Sequence, residues 1–238
     1  MIAFVLSAAM LAADTNHFVV CPSLPPTSDT TTLTVYGRVS DPFTKLSLPA
    51  GFAGLVVETV RTKMATPASL PIVVFDSHGR PTVVTTAAFS LMATGETRNV
   101  VAMASSSSPT IDSLLIAGIV SAGRDSSFPP LPEGAGNGIR LAFVMSPDSA
   151  AGAVPMFSIR VPVWRDYAVP GVRARDVADS VRLSFVVDEH GTALLGTVHM
   201  ASAPERGVPI SYLESLRTIQ PVPAHIGRCA VRGFVPSF

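Results

Sequence analysis

Alternating and continuously apolar runs divide most of the chain into short segments. Residues 31–39 alternate between apolar and polar positions, as half-buried strands do, and further apolar runs are rich in β-branched residues. These runs predict strands at 55–62, 72–75, 82–89, 100–104, 139–145, 156–164, 181–187, 193–200 and 229–235. The pattern therefore predicts a chain dominated by strands.

Two segments follow helical spacing instead. Between 110 and 123 the apolar residues recur on one helical face, and Gly123 marks the end; in 210–217, Ile210, Leu213 and Leu216 share a face. A polar helical turn is also predicted around 173–178. Together with the strands, these helices predict an α+β fold in which each of two small antiparallel sheets has one main helix packed on a face.

A short phrase occurs twice, as Val-Val-Phe-Asp-Ser-His-Gly at 73–79 and Val-Val-Asp-Glu-His-Gly at 186–191. Each copy precedes a second strand-like run, so each predicts a β-hairpin whose Asp caps the backbone and whose Gly adopts a positive φ. His78 and His190 are then turn residues. The repeat predicts an N-terminal segment and tether at 1–30, a first domain at 31–150 and a second at 151–238.

The composition favours a subunit of an assembly. Charged residues make up 14% of the chain and the mean hydropathy is +0.43, whereas a typical soluble domain has roughly 25% charged residues. A β-rich domain with Ala, Val and Ser on its surface is the alternative. Lys+Arg and Asp+Glu both number 17, so no basic excess indicates a nucleic-acid partner.

The first 13 residues are apolar, and Asp14 follows them. This run is shorter than the about 20 residues of a membrane-spanning helix and suits the apolar region of a secretion signal, although no basic residue precedes it. If it is retained, residues 1–13 could lie on a membrane surface. Either interpretation places the rest of the chain outside the cytoplasm, and we expect a periplasmic, membrane-associated protein.

The cysteines and aromatic residues supply the candidate contacts. Cys21 and Cys229 are the two cysteines, and in an exported chain they predict a disulfide, with two buried thiols as the alternative. Trp164 and Tyr167 lie where the predicted domains meet, so they either pack between domains or contact a partner. Phe234 and Phe238, near the end of the chain, are further candidate partner contacts.

No pattern indicates catalysis, a metal or a cofactor. The five histidines, His17, His78, His190, His199 and His225, include no pair at metal-ligand spacing. Residues 134–138 are glycine-rich, but they follow prolines and precede a strand, which predicts a flexible loop rather than a phosphate cradle. The sequence therefore predicts a non-enzymatic protein.

The order of elements resembles the C-terminal domain of the TonB family. Residues 183–191 resemble its first hairpin, 212–216 its helix, 219–221 its turn and 231–238 its closing strand, while 127–134 resemble a phrase common in TonB- and TolA-like domains. The resemblance implies two tandem divergent copies of a small α+β module that binds a partner in the cell envelope, in some cases by adding a strand to a sheet edge.

The chain also departs from the TonB pattern. Working transducers in that family have an N-terminal membrane helix and a long charged, Pro-rich spacer, whereas here the apolar start is short and a β-rich domain occupies the place of the spacer. We therefore expect an extracytoplasmic structural subunit that stabilises a larger bacterial membrane complex, such as a bioenergetic or photosynthetic one. The alternatives are a TonB-type transducer or envelope adaptor, and an exported ligand-binding protein or hydrolase.

Overall fold

The computed structural model describes residues 18–44, 46–67, 74–104, 109–172, 182–200 and 208–236. Several predicted features lie outside these ranges. They are the apolar segment 1–13, His17, the first part of the predicted strand 72–75, the helical turn around 173–178 and Phe238.

Within the described residues the chain forms three helices and twelve strands. The helices are α1 Ala50–Lys63, α2 Pro109–Arg124 and α3 Ile210–Thr218. The strands are β1 Val19–Val20, β2 Thr30–Ser40, β3 Thr85–Met92, β4 Thr97–Ala104, β5 Gly138–Ser146, β6 Val154–Pro162, β7 Tyr167–Ala168, β8 Leu183–Val187, β9 Ala193–Met200, β10 Ala224–Ile226, β11 Cys229–Val231 and β12 Gly233–Val235. The predicted α+β class is confirmed.

The largest sheet has five antiparallel strands in the order β4-β3-β5-β2-β6. Its strands alternate as the sequence predicts, and on β2 the buried residues are Val35, Gly37 and Val39. Helices α1 and α2 pack on one face and share its hydrophobic core. Because β6 belongs to this sheet, the sheet extends past residue 150, where the sequence predicted the boundary between two domains.

Helix α1 replaces the predicted strand at 55–62, and that prediction is wrong. Phe52, Val56, Val57 and Val60 are all at most 8% exposed, and their spacing places them on one side of a helix. The β-branched valines favoured a strand, but packing against the sheet outweighs this weak local preference.

Helix α2 confirms the helix predicted at 110–123 and depends on glycines at close approaches. A Cβ at Gly123 would lie 2.7 Å from the backbone nitrogen of Thr97 on β4, and one at Gly118 would lie 3.2 Å from Cβ of Met64, just beyond α1. A glycine in a helix costs about 1 kcal/mol relative to alanine. Here the missing side chains allow α2 to contact both β4 and the end of α1.

Among the remaining described residues the chain forms two smaller sheets. One has the order β12-β8-β9 and carries α3, whose Leu216 packs against Leu183, Phe185, Val187 and Val235. The other has the order β1-β11-β10-β7, and in it β1 pairs with β11 in parallel. Antiparallel pairs dominate in the described part of the chain.

The strand predicted at 229–235 is broken at Arg232 into β11 and β12, which join different sheets. A Cβ at Gly233 would lie 2.5 Å from Ala224 and Pro170, so the corner fits only glycine without rearrangement. Arg232 donates to Glu189 over 2.8 Å, and this hydrogen bond is the main cause of the lowered pKa of the Glu189 carboxyl. The ion pair fixes the corner to the β8–β9 turn.

Two segments of the chain share one strand order, in a different alignment from the one that the repeated phrase gave. Strands β3 and β4, helix α2 and strand β5 have the order β4-β3-β5, and β8, β9, α3 and β12 have the matching order β9-β8-β12. In both units the first strand is central and the closing strand runs antiparallel to it. The hairpin equivalent to the β8–β9 turn is therefore the β3–β4 turn, not the Asp76 turn, which precedes β3.

Candidate functional site

The repeated phrases form the same tight turn. Asp76 Oδ1 accepts the backbone N–H groups of His78 and Arg80 over 2.8 and 2.9 Å, and Asp188 Oδ1 accepts those of His190 and Thr192 over 2.9 and 2.7 Å. The glycines that follow have φ values of 72° and 78°, a region that favours glycine. Both histidines are exposed at the turns.

The Asp76 turn packs against the second half of the chain. The backbone N–H of Phe234 donates to the carbonyl of Phe75 over 2.8 Å. The Phe75 side chain is fully buried, and its ring lies 4.5 Å from that of Tyr167 and 5.8 Å from that of Trp164. Phe75 thus shares a core with Ala224, Ile226 and Val231. The Asp76 turn, which the sequence placed within the first domain at 31–150, therefore belongs to the junction.

Three of the four aromatic residues proposed as partner contacts lie at this junction. Trp164 and Tyr167 are partly buried against Phe75, and Trp164 Nε1 donates to the carbonyl of Pro25 over 2.9 Å. Phe234 is also partly buried. The packing interpretation, which the sequence left open for Trp164 and Tyr167, accounts for their contacts. Phe238 lies outside the described residues.

The hydroxyl of Tyr167 is buried and has no hydrogen-bond partner among the described residues. Desolvation, and to a lesser degree the carboxylate of Asp76, raise the pKa of Tyr167 far above its ordinary value. An unsatisfied buried hydroxyl costs about 1–3 kcal/mol. The junction therefore carries a polar group that weakens it.

Replacing this hydroxyl by hydrogen, in Tyr167→Phe, is expected to raise the free energy of unfolding by about 1 kcal/mol at pH 7. In the unfolded chain Tyr167 ionises near pH 10, whereas its pKa in the folded chain is higher. The wild type therefore loses stability as the pH rises above about 10, because the unfolded state releases this proton first. Between pH 7 and 10.5, the free energy of unfolding of Tyr167→Phe should fall by less than that of the wild type. Urea unfolding at pH 7 and 10.5 measures both effects. Tyr36→Phe serves as the control with little change, and a destabilised Tyr167→Phe would contradict the prediction.

A disulfide joins Cys21 to Cys229, with their Cα atoms 5.4 Å apart. On its N-terminal side, Val19 and Val20 pair with Cys229 and Ala230 as the parallel strand β1. The ring of Phe18 stacks on that of His225 at 4.2 Å. These contacts fix the N-terminal arm, defined as residues 18–24, to the four-stranded sheet.

A cavity of about 110 Å³ lies between the Asp76 turn and the outer face of the three-stranded sheet. Its lining comes from three parts of the chain. These residues are Val74, Asp76, Thr82 and Val84 from the turn region, Val186, Thr197 and His199 from β8 and β9, and Phe234 from β12. Most of this lining is apolar, with a carboxylate and an imidazole among the polar groups.

The polar groups of the cavity differ in the hydrogen bonds that they form. The Thr197 hydroxyl donates to the carbonyl of Leu194 and accepts the N–H of Val186, where the β8–β9 register is irregular. Desolvation lowers the pKa of His199, although the residue as a whole is exposed. Among the described residues, neither the His199 ring nor Oδ2 of Asp76 has a hydrogen-bond partner.

The edge strand β4 exposes two large apolar side chains. Val101 is 47% exposed and Met103 is 50% exposed. The register between β3 and β4 shifts beside Met103, so this residue has no partner opposite it on β3. Bulges at sheet edges redirect side chains in this way. In contrast, the other edge strand, β6, exposes Ser158 and Arg160.

Within the described ranges, no three His, Cys, Asp or Glu side chains come close enough together to hold a metal ion. None of the helices that the structure describes is long and apolar enough to cross a membrane. In the glycine-rich segment, residues 134–137 lie in the turns before β5, and Gly138 is the first residue of that strand. Compared with known proteins, the chain matches no family model, no curated protein and no solved structure.

Sequence reasoning missed the cavity and the exposed edge. Asp76, His199 and Phe234 are far apart in the chain, and no local pattern links them. The sequence did contain a sign of the exposed edge at Val101 and Met103. The predicted strand 100–104 has no polar residue and therefore no polar face.

Proposed function

We propose that this protein is a non-enzymatic, extracytoplasmic structural subunit that docks on and stabilises a larger membrane protein complex. Two features support the compartment and the role. The Cys21–Cys229 disulfide suits an oxidising compartment such as the bacterial periplasm. The low charge content suits a surface partly covered by a partner.

The exposed apolar edge of β4 carries the proposal. Exposed large apolar side chains on an edge strand are suited to contact with another chain. Here Val101 and Met103 are exposed on an edge strand whose hydrogen-bonded neighbour in the described sheet is β3 alone. We infer that the partner covers these two side chains.

The test compares Val101→Lys with Ser158→Lys in native membranes. Each variant adds one lysine at an exposed position of an edge strand of the same sheet, but Ser158 lies on β6. After mild detergent solubilisation, wild type and Ser158→Lys are expected to migrate with a high-mass complex, and Val101→Lys to migrate as a free chain. A charge buried at an interface without a pair strongly weakens association.

Crosslinking mass spectrometry on the same membranes identifies the partner and the contact. Crosslinks from β4 to a stoichiometric membrane subunit support the proposal. A purified protein that is monomeric without detergent, together with no such subunit in the crosslinked membranes, contradicts it. Equal loss of the complex in both lysine variants contradicts the assignment to β4.

A TonB-type envelope adaptor is the second candidate function. The order β9-β8-β12 with α3 on one face is the arrangement that the resemblance implies for such a module. The edge strand β9 would then receive an added strand from the partner. Crosslinks that involve β9 rather than β4 would favour this candidate.

An exported hydrolase or ligand-binding protein is the remaining alternative. Hydrolysis would need a nucleophile in contact with a base, and among the described residues Thr82 and His199 of the cavity do not hydrogen-bond each other. Ligand binding is compatible with the cavity, whose lining includes no residue of β4.

A further inference from the structure

The cavity has the size of a small hydrocarbon group. Its volume of about 110 Å³ suits a group of about five carbon atoms, since an apolar cavity of roughly 150 Å³ can hold benzene. Valines from both halves of the chain and the ring of Phe234 form its walls. A branched aliphatic group could therefore displace water from these walls favourably.

The same cavity contains a carboxylate without a cation. Asp76 forms no ion pair among the described residues. Its Oδ1 is occupied by the backbone of its own turn, and Oδ2 remains available. A carboxylate beside apolar walls attracts an ammonium group and repels an anion. His199 is the other titratable group in the lining, and desolvation lowers its pKa, which disfavours its cationic form.

We propose that this cavity binds a small primary amine, whose branched hydrocarbon part fills the apolar walls and whose ammonium group pairs with the Asp76 carboxylate. The valines select the shape of the hydrocarbon, and Asp76 selects the charge. None of the residues that line this site belongs to β4.

The test is a titration of the full-length, disulfide-bonded chain with isoamylamine, followed by two-dimensional amide NMR. Saturable shifts are expected at Val74, Val84 and Val186, with a dissociation constant in the millimolar range that suits so small a ligand. Isoamyl alcohol, the neutral analogue, should bind roughly three- to tenfold more weakly. Isocaproate, an anion of similar shape, should cause no saturable shift.

Asp76→Asn and Asp188→Asn form a matched pair of variants. Each amide oxygen can still accept the backbone N–H groups of its turn, so each turn is retained, but only Asp76 lines the cavity. Asp76→Asn is expected to weaken isoamylamine binding roughly three- to tenfold, and Asp188→Asn to leave it unchanged. Val84→Phe, at a 41% exposed position of the lining, should fill the cavity and abolish the shifts.

Three results would overturn the proposal. They are wild-type affinity for isoamylamine in Asp76→Asn, equal affinity for the amine and the alcohol, and unchanged binding in Val84→Phe. If Asp76→Asn fails to fold, Val84→Phe and the alcohol comparison on the wild type still decide the question.

Discussion

Replacing Cys21 and Cys229 together with alanine is expected to lower the free energy of unfolding by about 2–5 kcal/mol. The disulfide closes a loop with a sequence separation of 208 residues. Without it the unfolded chain gains the entropy of that loop, and the two-residue strand β1 is left to hold the N-terminal arm. Urea unfolding, followed by the fluorescence of Trp164, the single tryptophan, measures the loss.

Reductant supplies the control for this variant. Added to the wild type, it should reproduce the lower stability, and added to the double alanine variant it should change nothing. A loss smaller than about 0.5 kcal/mol, the usual range for surface substitutions, would mean that the bond does not constrain the unfolded chain.

The second large effect is expected for Phe75→Ala, which should lower the free energy of unfolding by about 3–5 kcal/mol. Phe75 is fully buried and comes from the Asp76 turn, whereas the residues around it, such as Tyr167 and Ile226, come from the second half of the chain. The substitution leaves a cavity where the two halves meet. Urea unfolding measures the loss, and hydrogen exchange should show faster exchange in β10 and β12.

Phe43→Ala is the matched control, because it removes the same ring from a more exposed position. Phe43 is 37% exposed, and the guanidinium of Arg140 lies 4.3 Å from the centre of its ring. Its removal should cost at most about 1 kcal/mol. If Phe75→Ala costs no more than Phe43→Ala, the junction contributes little to folding and the two halves fold independently.

The sequence predicted the α+β class and most strands, because apolar alternation on strands such as β2 follows directly from burial on one face of a sheet. It failed where long-range packing decided the outcome. The valines of α1 locally favour a strand, yet the segment forms a helix because these valines then pack on the sheet. Gly233 gives no local sign that one predicted strand turns a corner between two sheets.

The alignment of the repeated turns was another feature that local sequence could not predict. The Asp76 and Asp188 turns share their capping pattern, so the sequence aligned them, but a turn depends only on neighbouring residues. Residues far apart in the chain decide which strands pair. The observed pairing makes the β3–β4 turn the equivalent of the β8–β9 turn. The cavity could not be predicted for a related reason, since Asp76, His199 and Phe234 meet only after the sheets form.

The bond between Cys21 and Cys229 also makes most of the chain a closed covalent ring. A protease that cuts once between these cysteines, for example in the exposed turn around Asp148 and Ser149, opens the ring but releases no fragment. The product is two polypeptides that the disulfide still joins, with two new ends at the cut. On a gel without reductant it keeps the full mass, so a single nick need not remove the protein from its complex.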